Sequence, residues 1–198
     1  TTIEAIDGNL LAPLIPVAVH SDSYIDSNAI DPYTGQFIES ELEFLGFDEK
    51  RNQLIVNAAK ILIEQGISPI ISCVAGKDRF HPHHIAALLS EETVVDYQTG
   101  ETRPVRIAAV DGNMPLAERK AIYELFEAGK IDAMSFINVL GEGWDSDRAK
   151  GLINARPSRS KIFAKQRLGR ILRHTDSYEP AVVIDIIDRT SEQTPAVT

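Results

Sequence analysis

Three residues near the end of the chain have the types and spacing for chemistry on phosphate: Gln166, Arg170 and Arg173. Intervals of four and three put them on one face of a helix. Ala164, Leu168, Ile171 and Leu172 recur at i, i+4, i+7 and i+8 and make an apolar stripe roughly opposite that face. The spacing predicts a helix over 160–173 that buries the stripe and points an amide and two guanidinium groups away from its own domain. A guanidinium binds phosphate oxygens with a planar fork and keeps its charge at any working pH. Placing two of them a turn apart costs roughly a few tenths of a kcal/mol in repulsion. Gly169 between them costs about 1 kcal/mol relative to alanine and suits a close approach to the backbone. A solvated basic face is the plainer alternative.

The wider charge pattern favours a phosphate partner. The chain carries a net charge of -9 over 198 residues, which by itself argues against nucleic acid. Yet Arg148, Lys150, Arg156, Arg159, Lys161, Lys165, Arg167, Arg170 and Arg173 fall in one span that holds no Asp or Glu. The rest of the chain has 11 basic and 29 acidic residues. One cationic segment on an acidic body marks a site for an anionic partner.

The elements that must position these groups follow from the periodicity. Composition suits one globular domain, 43% hydrophobic and 25% charged. Asp48 is placed to cap a helix whose apolar residues Leu54, Ile55, Ala58, Ala59, Ile61 and Leu62 recur at three and four, with Gly66 as its stop. Strands are expected over 70–74, 105–110, 133–140, 151–155 and 181–187, with helices over 82–89, 115–128 and 160–173 between them. Pro115 suits a first helical position. Strands alternating with helices imply an α/β fold: a doubly wound, mostly parallel sheet with helices on both faces. Residues 1–47, with Pro13, Pro16 and Pro32 and a turn-rich run at 21–28, read as a linker or entry segment with a short strand near 14–19. Residues 48–189 read as the domain proper and 190–198 as a frayed tail. In such a sheet, ligands meet the loops beyond the carboxyl ends of the strands, here after Val74, Val110 and Leu140.

The single cysteine, Cys73, excludes an internal disulfide framework and suits a buried thiol in a reducing compartment. Apolar runs are too short for a membrane span, so no membrane partner is expected. With no secretory leader, a cytoplasmic location, or a nuclear one in a eukaryote, is expected.

Gln166-Arg-Leu-Gly-Arg-Ile-Leu-Arg173 resembles motif VI of superfamily 2 helicases. Asn138-Val-Leu-Gly-Glu-Gly-Trp-Asp145 resembles their motif V, and Ile153-Asn-Ala-Arg-Pro-Ser-Arg-Ser160 is similar to the strand and loop joining the two. Ile70-Ile-Ser-Cys-Val74 with the following stretch 83–89 looks like motif IV and its helix; residues 110–119 look like the loop and helix ahead of motif V. Residues 5–13 are similar to the segment that enters this domain in restriction-enzyme motor subunits. The order covers nearly the whole chain and resembles the C-terminal, second RecA-like domain of DEAD/DEAH-type and restriction-type motors.

The resemblance implies roles. Arg170 and Arg173 match arginine fingers that reach ATP and Mg²⁺ held mainly by an N-terminal RecA-like domain of the same parent chain. Gln166 matches a glutamine near the γ-phosphate. Gly143 and Asp145 match positions near the nucleotide; Asp145 as a turn cap stays open. Val74, Ala75, Asn138, Val139, Arg156 and Arg159 lie where family members touch nucleic acid, DNA being favoured over RNA. Trp144 reads as a packing residue before a stacking platform. His81, His83 and His84 cluster without a spaced partner, so no metal is expected. Glu142 and Asp111 read as turn residues or nucleic-acid-side contacts before an acid/base pair.

No G-x-x-x-x-G-K-[ST] loop occurs, so the chain is expected not to hydrolyse ATP alone. Two functions stay open: one half of an ATP-driven motor, or a RecA-like nucleic-acid-binding or interaction module without catalysis.

Overall fold

Short runs of β-branched and apolar residues, each followed by an amphipathic stretch, leave the chain little choice but to bury strands between two layers of helix. The computed structural model describes residues 13–76, 80–137, 144, 146–159 and 180–190. Its elements are β1 (Leu14–Ile25), α1 (Glu49–Glu64), β2 (Ser68–Ser72), α2 (Phe80–Ser90), β3 (Thr93–Val95), β4 (Thr102–Pro104), β5 (Ile107–Val110), α3 (Leu116–Glu127), β6 (Ala133–Phe136), β7 (Ala149–Asn154) and β8 (Ala181–Thr190).

Six strands form a parallel sheet in the order β1-β8-β7-β2-β6-β5. Neighbouring residues of each central strand serve opposite faces. Ile71, Ile153 and Ile184 pack with Ile55, Ala59 and Leu62 of α1 and with Ile85 and Leu89 of α2. Ile70, Leu152 and Val183 pack on the other side with Phe126 of α3 and its neighbours Ile122 and Tyr123. The sheet is therefore doubly wound, with helices on both faces, as the alternation of elements implies. From β2 the chain winds outward to β5, returns through β6, and crosses to β7 on the other flank of β2. The switch point of the sheet thus lies beside the end of β2.

Helix α1 matches its sequence signals. The Asp48 carboxylate accepts the Arg51 N–H at 3.0 Å, and Gly66 ends the helix at φ 78°, a left-handed conformation that suits glycine. Pro115 stands one position earlier than expected, as the residue before α3, with extended backbone (φ -53°, ψ 142°).

The entry segment carries the strand expected near 14–19, longer than the sequence reading gave it. From Leu14 it forms a strand of 12 residues that pairs with β8, from Leu14 opposite Ala181 to Ile25 opposite Thr190. Its inward residues Ser21, Ser23 and Ile25 alternate with exposed ones. Two of the three are serines, so the apolar signal of a strand is weak there; their hydroxyls are satisfied by Asp188 (2.5 Å) and Asp48 (2.6 Å). A 3₁₀ stretch, Glu39–Gly46, then lays Leu42 and Leu45 against Ile25, Ala29 and Val74. Residues 14–47 are thus packed on the body of the domain.

The hairpin β3–β4 also escaped the sequence reading, since strands of three residues carry almost no periodic signal. Its Arg103 grips Asp132 with two nitrogens at 2.7 and 3.0 Å, and Arg106 adds contacts at 2.6 and 3.1 Å. Burial pushes the Asp132 carboxyl up, but the hydrogen bonds from the two arginines overcome it and hold it below the usual range.

Candidate nucleic-acid interface

The carboxyl ends of β2 and β7 lie side by side, because Ser72 pairs with Asn154 and Ala155 N–H donates to Ser72 O at 2.9 Å. The loops leaving them carry Val74 and Ala75 on one side and Arg156 and Arg159 on the other, so the fold brings these four sequence-predicted residues to one edge. The other predicted residues, Asn138, Val139, Gly143, Asp145, Gln166, Arg170 and Arg173, lie outside the described residues, as do the expected helix over 160–173 and the segment 5–12.

Of the four, Val74 is buried, 1% exposed, and packs with Leu42 and Leu45. Ala75 and Gly76 are half-buried. Arg156 has 12% of its side chain exposed and pairs with Glu39 of the 3₁₀ stretch. The arginine is thereby held against the 3₁₀ stretch where the chain leaves β7. Arg159 is half-buried.

Beneath the rim lies a buried ion pair that local sequence could not reveal. The Arg51 side chain is 0% exposed and that of Asp188 1%. Arg51 Nε and Nη2 donate to the two Asp188 oxygens at 2.7 and 2.9 Å, and Nη2 also donates to Ala155 O at 2.8 Å. This pair ties α1 to β8 and to the start of the loop that bears Arg156.

His81 is 3% exposed and bonded at both ring nitrogens: Val74 N–H donates to Nδ1 at 3.1 Å, and Nε2 lies 3.0 Å from Asn52 Oδ1. Burial, helped by the charge of Arg51 and by His84, lowers its pKa to about 3. An unfolded chain takes up this proton below about pH 6.5 and the folded chain does not, so the contribution of His81 is fully present above that pH and is lost as pH falls. Between pH 6.5 and 5 the fold is expected to lose about 2 kcal/mol through this residue. Chemical denaturation across that range is expected to show the slope in the parent chain and a flatter one in His81→Asn.

His83, by contrast, is half-exposed and donates to Asp111 at 2.7 Å, where β5 ends. Burial raises the Asp111 pKa, but the bonds from His83 and from the Asn113 N–H bring it below the usual range. Asp111 is thus a bonded turn residue. His81 and His83 point to different partners, and among the described residues no group of three or more His, Cys, Asp or Glu could hold a metal. Trp144 is buried and packs on Tyr123 and Phe126, with ring centroids 5.3 and 6.1 Å away. No described helix is long and apolar enough to cross a membrane.

Sequence reasoning overlooked Arg51, Asn52, Asp188 and Glu39. The one available signal was Asn52 and Arg51 standing in the first turns of a helix that otherwise buries its face.

A family model described as helicase conserved C-terminal domain matches residues 70–175. No curated protein matches the chain in sequence. Among solved structures, a DEAD box protein from the hyperthermophile Methanococcus jannaschii aligns with a TM-score of 0.56 and 16% identity, over 93% of this chain and 37% of that one. The DUF1998 helicase MrfA bound to DNA gives 0.57 and 15%, over 91% and 20%. Domain 2 of the DEAD-box helicase Mss116p bound to an RNA duplex gives 0.55 and 12%, over 89% and 54%. At such identities the likeness is one of fold, and the chain spans little more than half of the last of these structures and less of the other two. The family match takes in more than half of the chain, from within the central strand β2 through the pattern at 166–173, and the sheet has the RecA-like form; the chain belongs to the helicase conserved C-terminal domain family.

Proposed function

We propose that this chain is the second motor domain of an ATP-driven superfamily 2 helicase or translocase acting on nucleic acid, DNA in preference to RNA. Its share of the work is to hold the nucleic-acid backbone on the loops after β2 and β7 and to present Gln166, Arg170 and Arg173 to a nucleotide bound by a neighbouring RecA-like lobe. The observation that carries the reading is the side-by-side exit of those two loops at the switch point, inside the span that matches the family. The relatives support either nucleic acid, since one structure holds DNA and another an RNA duplex. The preference for DNA rests on the likeness of 138–145 and 5–13 to restriction-type motors.

ATP and Mg²⁺ fit this chain only as a partial contact. It has no phosphate-cradling loop, and the carboxylates at the described edge are engaged: Asp111 with His83, Asp188 with Arg51, Asp185 with Asn154. When bound, the nucleotide supplies the energy for movement. Gly143 and Asp145 would add contacts near it, and Arg170 and Arg173 positive charge.

The test is a titration of labelled single-stranded DNA and RNA of one sequence at several salt concentrations. Binding is expected at low salt, tighter for DNA, with log K falling against log salt at about -0.7 per phosphate engaged. Absence of binding at low salt, or binding indifferent to salt, would turn the reading toward an interaction module without nucleic acid.

A further inference from the structure

We infer that His81 is a positioning residue for the loop after β2, acting as a neutral hydrogen-bond acceptor that fixes the Val74 amide and thereby sets nucleic-acid affinity; this rests on the reading above. The donor and acceptor roles close without ambiguity. Cys73 N–H is taken by Phe136 O of the neighbouring strand at 2.9 Å, but the next amide, Val74, leaves the sheet and finds His81 Nδ1 at 3.1 Å. Since Val74 donates, Nδ1 must be unprotonated, and the ring proton sits on Nε2. That proton goes to Asn52 Oδ1 at 3.0 Å, and Asn52 Nδ2 donates to Gly46 O at 2.8 Å, which fixes the amide orientation. Val74, His81 and Asn52 are 1%, 3% and 0% exposed, so water cannot stand in for any partner.

The packing agrees with the bonding. A Cβ on Gly46 would sit 3.2 Å from His81 Cβ and 3.4 Å from Val74 Cγ2, so the 3₁₀ stretch packs tightly over the ring and a side chain at position 46 would push its neighbours by a few tenths of an ångström. One imidazole therefore joins four separate segments: the 3₁₀ stretch, α1, the first turn of α2 and the loop. With Val74 pinned, the half-buried Ala75 and Gly76 that follow it are held in place rather than left to sample many orientations.

Two substitutions separate the two bonds. The Asn Oδ1 falls where His Nδ1 does, so His81→Asn can still accept from Val74 but not reach Asn52. The Gln amide nitrogen falls where Nε2 does, so His81→Gln keeps Asn52 and loses Val74. The experiment measures amide hydrogen exchange at Val74, Ala75 and Gly76, single-stranded DNA affinity and melting temperature in the 198-residue chain and both variants. In His81→Gln, exchange at the three amides is expected to rise about tenfold and DNA affinity to fall about tenfold, the size of one buried hydrogen bond. In His81→Asn both are expected to stay near the parent values, although melting temperature drops in both variants. Equal shifts in the two variants, in step with melting temperature, would overturn the inference. Ring nitrogen chemical shifts of the parent need no substitution: a proton on Nε2 supports it, and a proton on Nδ1 overturns it. If the parent bound no DNA while exchange followed the expected pattern, the nucleic-acid reading would be what failed, and the role of His81 in affinity with it.

Discussion

Arg170→Ala, in a protein where this domain works beside an ATP-binding lobe, is expected to lower nucleic-acid-stimulated ATP turnover about 10³-fold or more while nucleotide affinity changes little. The reasoning is that a guanidinium delivered to a transferring phosphoryl group stabilises charge that develops only in the transition state. Such an interaction is felt in kcat and barely in ground-state binding. Lysine is no substitute, because a point charge cannot offer the planar two-nitrogen fork, so Arg170→Lys is expected to remain severely impaired. Arg173→Ala should fall in the same class. Steady-state turnover and equilibrium nucleotide binding, measured on the same preparation, decide the matter. Turnover within about threefold of the parent would show that Arg170 is not a finger, since the finger contribution is far larger.

The second large effect concerns the fold. Asp188→Ala is expected to cost about 3–5 kcal/mol, read as a lower urea midpoint at unchanged slope. The residue removed is not the main source of the loss. It is the guanidinium of Arg51, fully buried and left with Ala155 O but without its paired carboxylate. Ser21 would lose its acceptor as well, loosening β1 from β8. Replacing both partners with apolar residues of similar volume is expected to recover most of the loss, because neither charge then needs solvation. The exposed pair Arg189–Asp22, at 2.6 Å on the neighbouring strands, serves as the control: Asp22→Ala is expected to leave the midpoint unmoved. The Arg51–Asp188 pair also touches the proposed nucleic-acid edge. Its bond to Ala155 O sets where the chain leaves β7, and hence where Arg156 stands.

Elements with a local cause were legible in the sequence. Helix α1 declared itself by an Asp48 cap, an apolar stripe and a glycine stop. The central strands declared themselves as apolar runs covered on both faces, and their alternation with helices implied the parallel sheet. Strand β1 was half legible: its first residues are apolar, but from Ser21 the inward positions are filled by serines whose partners, Asp188 and Asp48, lie elsewhere in the chain. The hairpin β3–β4 was too short to show a period.

The candidate site divides along the same line. By itself the sequence determined the residue types and their order: Gln166, Arg170 and Arg173 at intervals of four and three, and a basic span without acids. A pattern of that kind is written in neighbouring positions and survives without coordinates. Only the tertiary structure decided that Glu39 holds Arg156, that Arg51 is buried against Asp188, and that His81 is a bonded acceptor rather than one of three clustered histidines. Those outcomes depend on contacts between residues far apart in sequence, 137 positions for Arg51 and Asp188. A charged or titratable side chain reads as a surface group until the partner that compensates its desolvation is brought alongside, and only the packed sheet brings it there.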